Sequence, residues 1–199
     1  MIDNFELIKP LLNFEEGYFY FLQIIKRKKD LPNEVKGSNN SSRIIRTYTV
    51  HNMKYLDTIS EEVRSLCTVF QARAGINLNR RSYKKVAFKT LTKISEQLTH
   101  EDYRNVSKAY NSVCGKYAAE TDKHWILDFD RPSDEVDVLK ISNELYEIQP
   151  EGNKIIATLP SKSGLHIISK PFNIKDAKQL IELHDFEIHK NNPTNLFIP

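Results

Sequence analysis

The stretch His124-Trp125-Ile126-Leu127-Asp128-Phe129-Asp130 is the sharpest feature of the sequence. Its apolar residues predict a short buried strand over 125–129, since aromatic and β-branched side chains favour strands. Side chains two residues apart on a strand share a face, so Asp128 and Asp130 project together. Crowded carboxylates repel each other unless a cation lies between them, and Mg²⁺ or Mn²⁺ meets that need with oxygen ligands. Removing either acid would then leave the apo fold intact or stabilise it. The alternative is structural: Asp128 caps a turn while Asp130 pairs with Arg131.

A second motif is the turn Ser161-Lys162-Ser163-Gly164, which lies between strands predicted over 154–159 and 165–169. Glycine lets backbone amides approach an anion, and the two hydroxyls and Lys162 can donate to phosphate oxygens. His166 alternates with apolar neighbours and therefore lies on the opposite face of its strand. Beside such a turn, and after a carboxylate pair, we interpret this histidine as a ligand rather than a structural residue.

The rest of the chain alternates between strand and helix patterns. It predicts a two-layer α+β fold, with helices on one face of a mainly antiparallel sheet. The predicted strands are 17–30, 43–50 and 71–79, followed by a final hairpin of 186–189 and 195–198; the loop is 31–42; the helices are 53–70, 82–98, 101–117, one ending near 146, and 175–183.

Two of these helices have marked side-chain patterns. Ser82 is a good N-cap for the 82–98 helix, whose apolar residues share one face. The tyrosines of the 101–117 helix are interpreted as core rather than as a platform for stacking bases. The two stripes are Tyr83, Val86, Ala87, Leu91, Ile94 and Leu98, and then Tyr103, Val106, Tyr110, Val113 and Tyr117.

Composition excludes several classes of protein. The 199 residues are 40% hydrophobic and 28% charged, which rules out wholesale disorder, collagen-like repeats and coiled coil. No apolar run approaches the roughly 20 residues that span a bilayer, and no signal peptide is visible. The two cysteines, Cys67 and Cys114, form neither a disulfide framework nor a zinc site. We therefore expect a cytoplasmic protein without a membrane partner.

Taken together, the two motifs resemble those of the archaeo-eukaryotic primase superfamily, also called primase-polymerases. That family has an Asp-x-Asp strand, a Ser/Gly/His element and a third strand carrying an acid. The resemblance covers roughly residues 120–199 and implies an RRM-like sheet at the core of the fold. It implies that Asp128 and Asp130 bind the catalytic Mg²⁺ or Mn²⁺, and that Ser161, Lys162, Ser163 and His166 hold the triphosphate of the incoming nucleotide.

The third acid matches the family less closely. Glu187 is the best match and Asp185 the second, and neither is the usual Asp with a following Arg. The length leaves no room for the accessory domain of many primases. These features are typical of a minimal, specialised or inactivated member, as found in phages and bacterial mobile elements. The implied function is nucleotide transfer in DNA replication or repair, with a replication helicase or another replication protein as partner.

Basic residues in the front half fit a DNA or RNA template. Net charge is only +3, but arginines and lysines recur near predicted strand ends and at a helix start. Phosphate neutralisation supplies most sequence-independent affinity for nucleic acid. The alternative is a set of solvated surface charges, and the tetrad 26–29 is open to the same two interpretations. The candidate nucleic-acid contacts are Arg43, Arg46, Arg73, Arg80, Arg81 and Lys84.

Two other functions remain open. A nucleotide- or nucleic-acid-binding protein could keep this fold without turnover, which the weakly matched third acid favours. Haloacid-dehalogenase-like phosphatases also have a hydrophobic strand with Asp-x-Asp, but they need a parallel sheet. In organisation, we expect a basic module over 1–120 and a metal- and nucleotide-binding module over 121–199, joined in one compact domain.

Overall fold

The computed structural model describes residues 1–27, 43–118 and 121–199. Over those residues the protein is α+β with antiparallel sheets, which confirms the coarse fold prediction. The predicted loop and the residues Lys28 and Lys29 of the basic tetrad lie outside the described residues. Within the described ranges, none of the helices is long and apolar enough to cross a membrane.

Strands and helices follow each other closely along the chain. The strands are β1 (Ile2–Asp3), β2 (Tyr18–Lys26), β3 (Arg43–Val50), β4 (Arg73–Ile76), β5 (Arg81–Ser82), β6 (Trp125–Phe129), β7 (Ile155–Pro160), β8 (Leu165–Ser169), β9 (Glu187–His189) and β10 (Thr194–Ile198). The α-helices are α1 (Phe5–Ile8), α2 (Met53–Phe70), α3 (Tyr83–Thr99), α4 (Ala109–Lys116), α5 (Val138–Tyr146) and α6 (Lys178–His184). Short 3₁₀ turns occupy Lys9–Leu11, Tyr103–Lys108 and Ser133–Glu135.

The first sheet has the strand order β1-β10-β4-β2-β3, with β5 paired to one end of β2. Helix α2 covers one face, because Leu56 and Val63 pack in the same core as Leu22 and Ile24 of β2. Helices α3 and α4 cover only part of the other face, where their buried residues contact Phe19 and Phe21. The opposite end of that second face is left for the second sheet.

The second sheet has the order β7-β8-β6-β9, built from a strand, helix, strand, strand, helix, strand sequence. Alternation along β6 sends Leu127 and Phe129 into a core shared with α5 and α6. Ile126 packs on the other side, in the core of the first sheet. Both helices therefore lie on one face of this sheet, and the face that carries Asp128 points toward the first sheet.

The predicted final hairpin is wrong. Strand β9 pairs with β6, whereas β10 pairs with β4 and β1 of the first sheet. The strand spans were recognisable, but Asn191 and the residues after it carry the chain from one sheet to the other. Strands β1 to β5 precede residue 118 and β6 to β9 follow residue 121, but β10 belongs to the first sheet. The division into modules over 1–120 and 121–199 stays a prediction.

Buried asparagines tie the two sheets together. Asn79 donates to the carbonyls of His124 (2.9 Å) and Lys190 (3.0 Å), and accepts from the His124 amide at 2.6 Å. At the other end, Asn4 donates to the carbonyls of Pro160 and Asn195, each at 2.9 Å. Because these amides are buried and satisfied, they fix the spacing of the sheets.

Helix α3 begins as the sequence predicts, with the Ser82 hydroxyl accepting from the Lys85 amide. Its apolar face, however, is only partly buried: Val86 packs inside, whereas Leu91 is 65% exposed. The tyrosine interpretation is also partly wrong, because Tyr103 is 64% exposed and Tyr110 39%. Helical spacing identifies a face but not whether another element covers it.

Candidate active site

Asp128 lies at the centre of the second sheet, on the inner strand β6. Its register partners are His166 on β8 and Glu187 on β9. Residues directly opposite each other in antiparallel strands project from the same face. Two sequence motifs and the best-matching third acid are therefore brought together across three adjacent strands.

Two imidazoles hold the Asp128 carboxylate. His166 Nε2 lies 3.2 Å from Asp128 Oδ1, and His189 Nε2 lies 3.4 Å from Asp128 Oδ2. The hydrogen bond from His166, followed by the charge of both rings, lowers the pKa of Asp128 despite the opposing effect of burial. The carboxylate is thus stabilised rather than strained, so removing it should cost stability. This argues against the expectation that its loss would leave the apo fold unchanged or stabilise it, and the effect on stability stays a prediction.

His189 also lies between two acids. Its Nε2 atom is 3.5 Å from Glu187 Oε2 as well as near Asp128. When protonated, the ring occupies the position that a cation between these carboxylates would take. Glu187 itself is largely exposed, with 82% of its side chain accessible, so an ion or ligand from solvent can reach its carboxylate.

Behind His166 stands a buried threonine from the other sheet. The Thr194 hydroxyl, on β10, lies 2.9 Å from His166 Nδ1, and Thr194 is fully buried. A hydroxyl that donates to Nδ1 leaves the proton of a neutral ring on Nε2, which then donates to Asp128. This contact orients the ring and links the two sheets at the site.

The predicted phosphate turn packs against the end of β6. The Ser163 hydroxyl donates to Asp130 Oδ1 at 2.9 Å, and the Ser161 hydroxyl accepts from the Gly164 amide at 3.1 Å. A Cβ atom on Gly164 would lie 1.9 Å from the Phe129 carbonyl oxygen, so only glycine fits there. Lys162 is exposed at the tip of the turn.

A cleft of about 530 Å³ lies between the two sheets at this point. One wall carries the carboxylates and imidazoles described above. The facing wall, from β2, β4, β10 and the residues next to them, carries polar and basic side chains beside the apolar Ile25, Ala74 and Pro193. Its charged and amide side chains include Gln23, Arg27, Arg73 and Asn195, and the opposite wall contributes Asp128, Asp130, His166, Glu187 and His189.

A smaller hollow of about 260 Å³ adjoins this cleft. It is lined by Asp128, Asp130, Glu187 and also Asp185, the second candidate for the third acid. Asp185 lies at the C-terminus of α6 in the left-handed region, with a φ of 45°. Both candidates are therefore near the pair, but only Glu187 is in register with Asp128.

The six basic residues predicted to contact nucleic acid do not form one surface. Of these six, Arg73 alone lines the cleft. Arg81 is fully buried and donates to the carbonyls of Cys114 and Asn79, and its burial lowers its pKa to about 10. Arg80 is 7% exposed and pairs with Glu15 and Asp122. Neither guanidinium presents a surface to a polyanion, which corrects those two assignments.

The remaining three basic residues lie elsewhere on the surface. Arg46 of β3 pairs with Glu62 of α2, on the face of the first sheet away from the cleft. Arg43 is exposed at the start of β3, and Lys84 is exposed in the first turn of α3. Contact of these residues with nucleic acid stays a prediction.

The donor chemistry of the site fits a hard divalent ion. Asp128 and Glu187 are opposite each other on one face of the sheet, and Asp130, just beyond the end of β6, lines the same cleft. Their carboxylate oxygens are the ligands that Mg²⁺ and Mn²⁺ prefer. In this conformation, no group of three or more His, Cys, Asp or Glu side chains among the described residues is arranged to hold a metal. Because Asp128 engages two imidazoles, metal binding would require His189 or the carboxylate to rotate.

Sequence reasoning missed His189, Thr194 and the bridging asparagines. His189 could have been found, since it follows Glu187 by two residues on a predicted strand. Thr194 gave no signal, because its contact with His166 depends on which sheet β10 joins.

Comparisons with protein-family models, with curated proteins and with solved structures found no match.

Proposed function

We propose that this protein is a metal-dependent nucleotidyltransferase that resembles the primase-polymerases. The observation that carries the proposal is the register of Asp128 between His166 and Glu187 on three adjacent strands. The three signatures of that family are an acidic pair, a Ser/His element and a third acid. Here their matches converge on one face of one sheet, at a cleft with a basic opposite wall.

The strand order of the second sheet supports the same proposal. Its strand, helix, strand, strand, helix, strand sequence with order β7-β8-β6-β9 is the split βαβ arrangement that RRM-like sheets share. In that arrangement β6 and β8 are the two inner strands, and side chains on such strands are held more precisely than side chains on loops. Fold alone does not imply activity, so the proposal depends on the residues.

Asp128, Asp130 and Glu187 would hold Mg²⁺ or Mn²⁺. The ion would stabilise the negative charge that develops when a 3′-hydroxyl displaces pyrophosphate at the α-phosphate of a nucleotide. Ser163 would keep Asp130 oriented through the hydrogen bond that it already donates. His189 Nε2 lies beside both Asp128 and Glu187, so the ring or the Asp128 carboxylate would have to rotate for the ion to bind.

The phosphate groups of the nucleotide would bind at the turn after β7. Lys162 is exposed at its tip, and the Ser161 hydroxyl, which accepts from the Gly164 amide, can donate its proton to a phosphate oxygen. The Ser163 hydroxyl would have to leave Asp130 to do the same. His166 would donate to the triphosphate through Nε2 only after that atom has released Asp128 to the ion, in a ring orientation fixed by Thr194 at Nδ1. Arg73 and Arg27, on the opposite wall, would neutralise phosphates of a DNA or RNA template.

A second candidate is a nucleotide- or nucleic-acid-binding protein without turnover. It is favoured by the engagement of both Asp128 oxygens with imidazoles, which competes with metal binding. The phosphatase alternative loses its structural basis, because both neighbours of β6 pair with it in antiparallel fashion.

The test is Mn²⁺-dependent incorporation of labelled nucleotide on a primed template, comparing wild type with Asp128→Asn. We expect a loss of about 100-fold or more, since the variant removes charge stabilisation at the reacting phosphate. Asp57→Asn on α2 is the matched control and should leave the rate unchanged.

The alternatives give different results in the same assay. Mn²⁺ and nucleotide binding that depend on Asp128, without any incorporation by the wild type, would favour the inactive binding protein. Incorporation that survives Asp128→Asn, or no binding of metal and nucleotide at all, would refute the proposed site.

A further inference from the structure

Helix α3 presents an apolar surface that none of the described residues covers. Phe88 is 63% exposed, Leu91 65% and Leu98 49%. Ala87 is also exposed, and Ile94 is half-buried between them. The buried side of the helix is separate, because Val86 packs with Val113 and Phe19. The helix therefore has one face for its own core and a second apolar face directed outward.

The outward face has the spacing of a helix-pairing seam. Ala87, Leu91, Ile94 and Leu98 follow each other at intervals of four, three and four residues. Such alternation places knobs along one line of a helix, where a second helix can pack. Exposed leucines on other helices, such as Leu139 and Leu183, are not part of such a stripe and fit the single exposed residues that soluble proteins commonly have.

We propose that this seam is the contact of a symmetric homodimer, in which α3 of one chain packs antiparallel against α3 of a second copy. An antiparallel two-fold register sets Ala87 opposite Leu98 and Leu91 opposite Ile94, so a small residue meets a large one. The same register places Lys84, before the seam, opposite Glu101, just after the helix.

Charge complementarity favours a second copy of the chain as the partner and an antiparallel orientation of the two helices. Both Lys84 and Glu101 are exposed, and the two-fold axis repeats their contact at each end of the helix pair. A parallel pairing would instead bring Lys84 against Lys84 of the second copy. Tyr83, Thr90 and Ser95, which flank the seam, are uncharged and add no repulsion.

The size of the seam sets the strength of the contact. Seventeen residues span about 26 Å of helix. A single helix pair of this length is smaller than the standard interface of about 800 Å² per partner, so the dimer should be concentration-dependent. Helix α3 covers the end of β2 that carries Phe19, whereas the cleft lies at the Gln23 end. The dimer would leave the cleft accessible, and this inference stands apart from the proposed function.

Sedimentation velocity of the full chain over a concentration series tests the proposal. Wild type should shift from monomer to dimer, and Leu91→Glu should weaken self-association at least tenfold. Leu139→Glu, an equally exposed leucine on α5, is the matched control and should dimerise like wild type. Circular dichroism of each variant confirms that the fold is retained.

Charge reversal tests the register. Lys84→Glu and Glu101→Lys should each weaken the dimer, and the double variant should restore it. A wild type that stays monomeric throughout, equal losses in Leu91→Glu and Leu139→Glu, or no restoration in the double variant would each overturn the proposal. The proposal would also be overturned if Leu91→Glu lost oligonucleotide binding without any change in sedimentation, because the face would then bind nucleic acid.

Discussion

The two walls of the cleft differ in charge and in origin. One wall belongs to the second sheet and carries Asp128, Asp130 and Glu187 beside two imidazoles, whereas the first sheet contributes Arg73 and Arg27. A site that recognised only an anion would not need the acidic wall. Opposed walls of this kind suit a phosphate ester held by arginine on one side and by a metal ion on the other.

Gly164→Ala should disrupt the acidic wall most. The added Cβ would meet the carbonyl oxygens of Phe129 (1.9 Å) and Arg131 (2.5 Å), which are backbone atoms and must shift. We expect the free energy of unfolding to fall by about 1–3 kcal/mol in urea titrations. Gly115→Ala in α4 meets nothing within 4 Å and should be neutral or stabilising. Equal stability of the two variants would contradict the packing of the turn.

Arg73→Gln should weaken the basic wall. If Arg73 neutralises a template phosphate, single-stranded oligonucleotide binding should drop by about 2 kcal/mol, roughly thirtyfold. Fluorescence anisotropy at several salt concentrations gives the slope of the logarithm of the binding constant against the logarithm of the salt concentration. In the variant the magnitude of this slope should be smaller by about one. Arg46→Gln is the control, since Arg46 pairs with Glu62 on the other face of the first sheet. A comparable loss in both variants would indicate general surface charge instead of a cleft.

Thr194→Val should release His166 while keeping the buried shape. Without the hydroxyl at 2.9 Å, Nδ1 loses its partner and the ring orientation is no longer fixed. We expect about a tenfold loss of Mn²⁺-dependent incorporation, and restoration by Thr194→Ser. The ¹⁵N chemical shifts of the ring report the tautomer independently of activity. Unchanged shifts in Thr194→Val would show that the threonine does not position His166.

Asp128→Asn should have a small, pH-dependent effect on stability. The pKa of Asp128 is lowered in the fold from its ordinary value of 3.8, chiefly by hydrogen bonding to His166. Its contribution is therefore complete above about pH 4 and is lost as the pH falls through the folded pKa. In chemical denaturation, the free energy of unfolding of wild type should exceed that of the variant by about 1 kcal/mol at pH 7. This difference should disappear toward pH 2. A gap that stays constant with pH would mean that the carboxylate charge is not stabilised by the imidazoles.

Strands with local signals were predictable from the sequence. Strands β6 and β8 have the predicted bounds, because each is a compact apolar run between turn residues. The proximity of Asp128 and His166 followed from two motifs, yet their register required the structure. Helix α2 also has its predicted bounds, since its apolar residues repeat at helical spacing.

Features that depend on distant pairing were not predictable. Strands β9 and β10 are close in sequence but belong to different sheets, and local propensity does not encode the choice. Arg80 and Arg81 show the same limit, because consecutive arginines are typical of a basic surface. Their burial depends on acceptors far along the chain, including the Cys114 carbonyl and Asp122.

A crystal soaked with Mn²⁺ and a non-hydrolysable nucleoside triphosphate tests the proposed metal and nucleotide site directly. We expect an anomalous Mn²⁺ peak in contact with oxygens of Asp128 and Asp130, with the triphosphate against the turn that contains Ser163. Manganese and nucleotide bound elsewhere, or a nucleotide bound with His189 still held between Asp128 and Glu187, would contradict it.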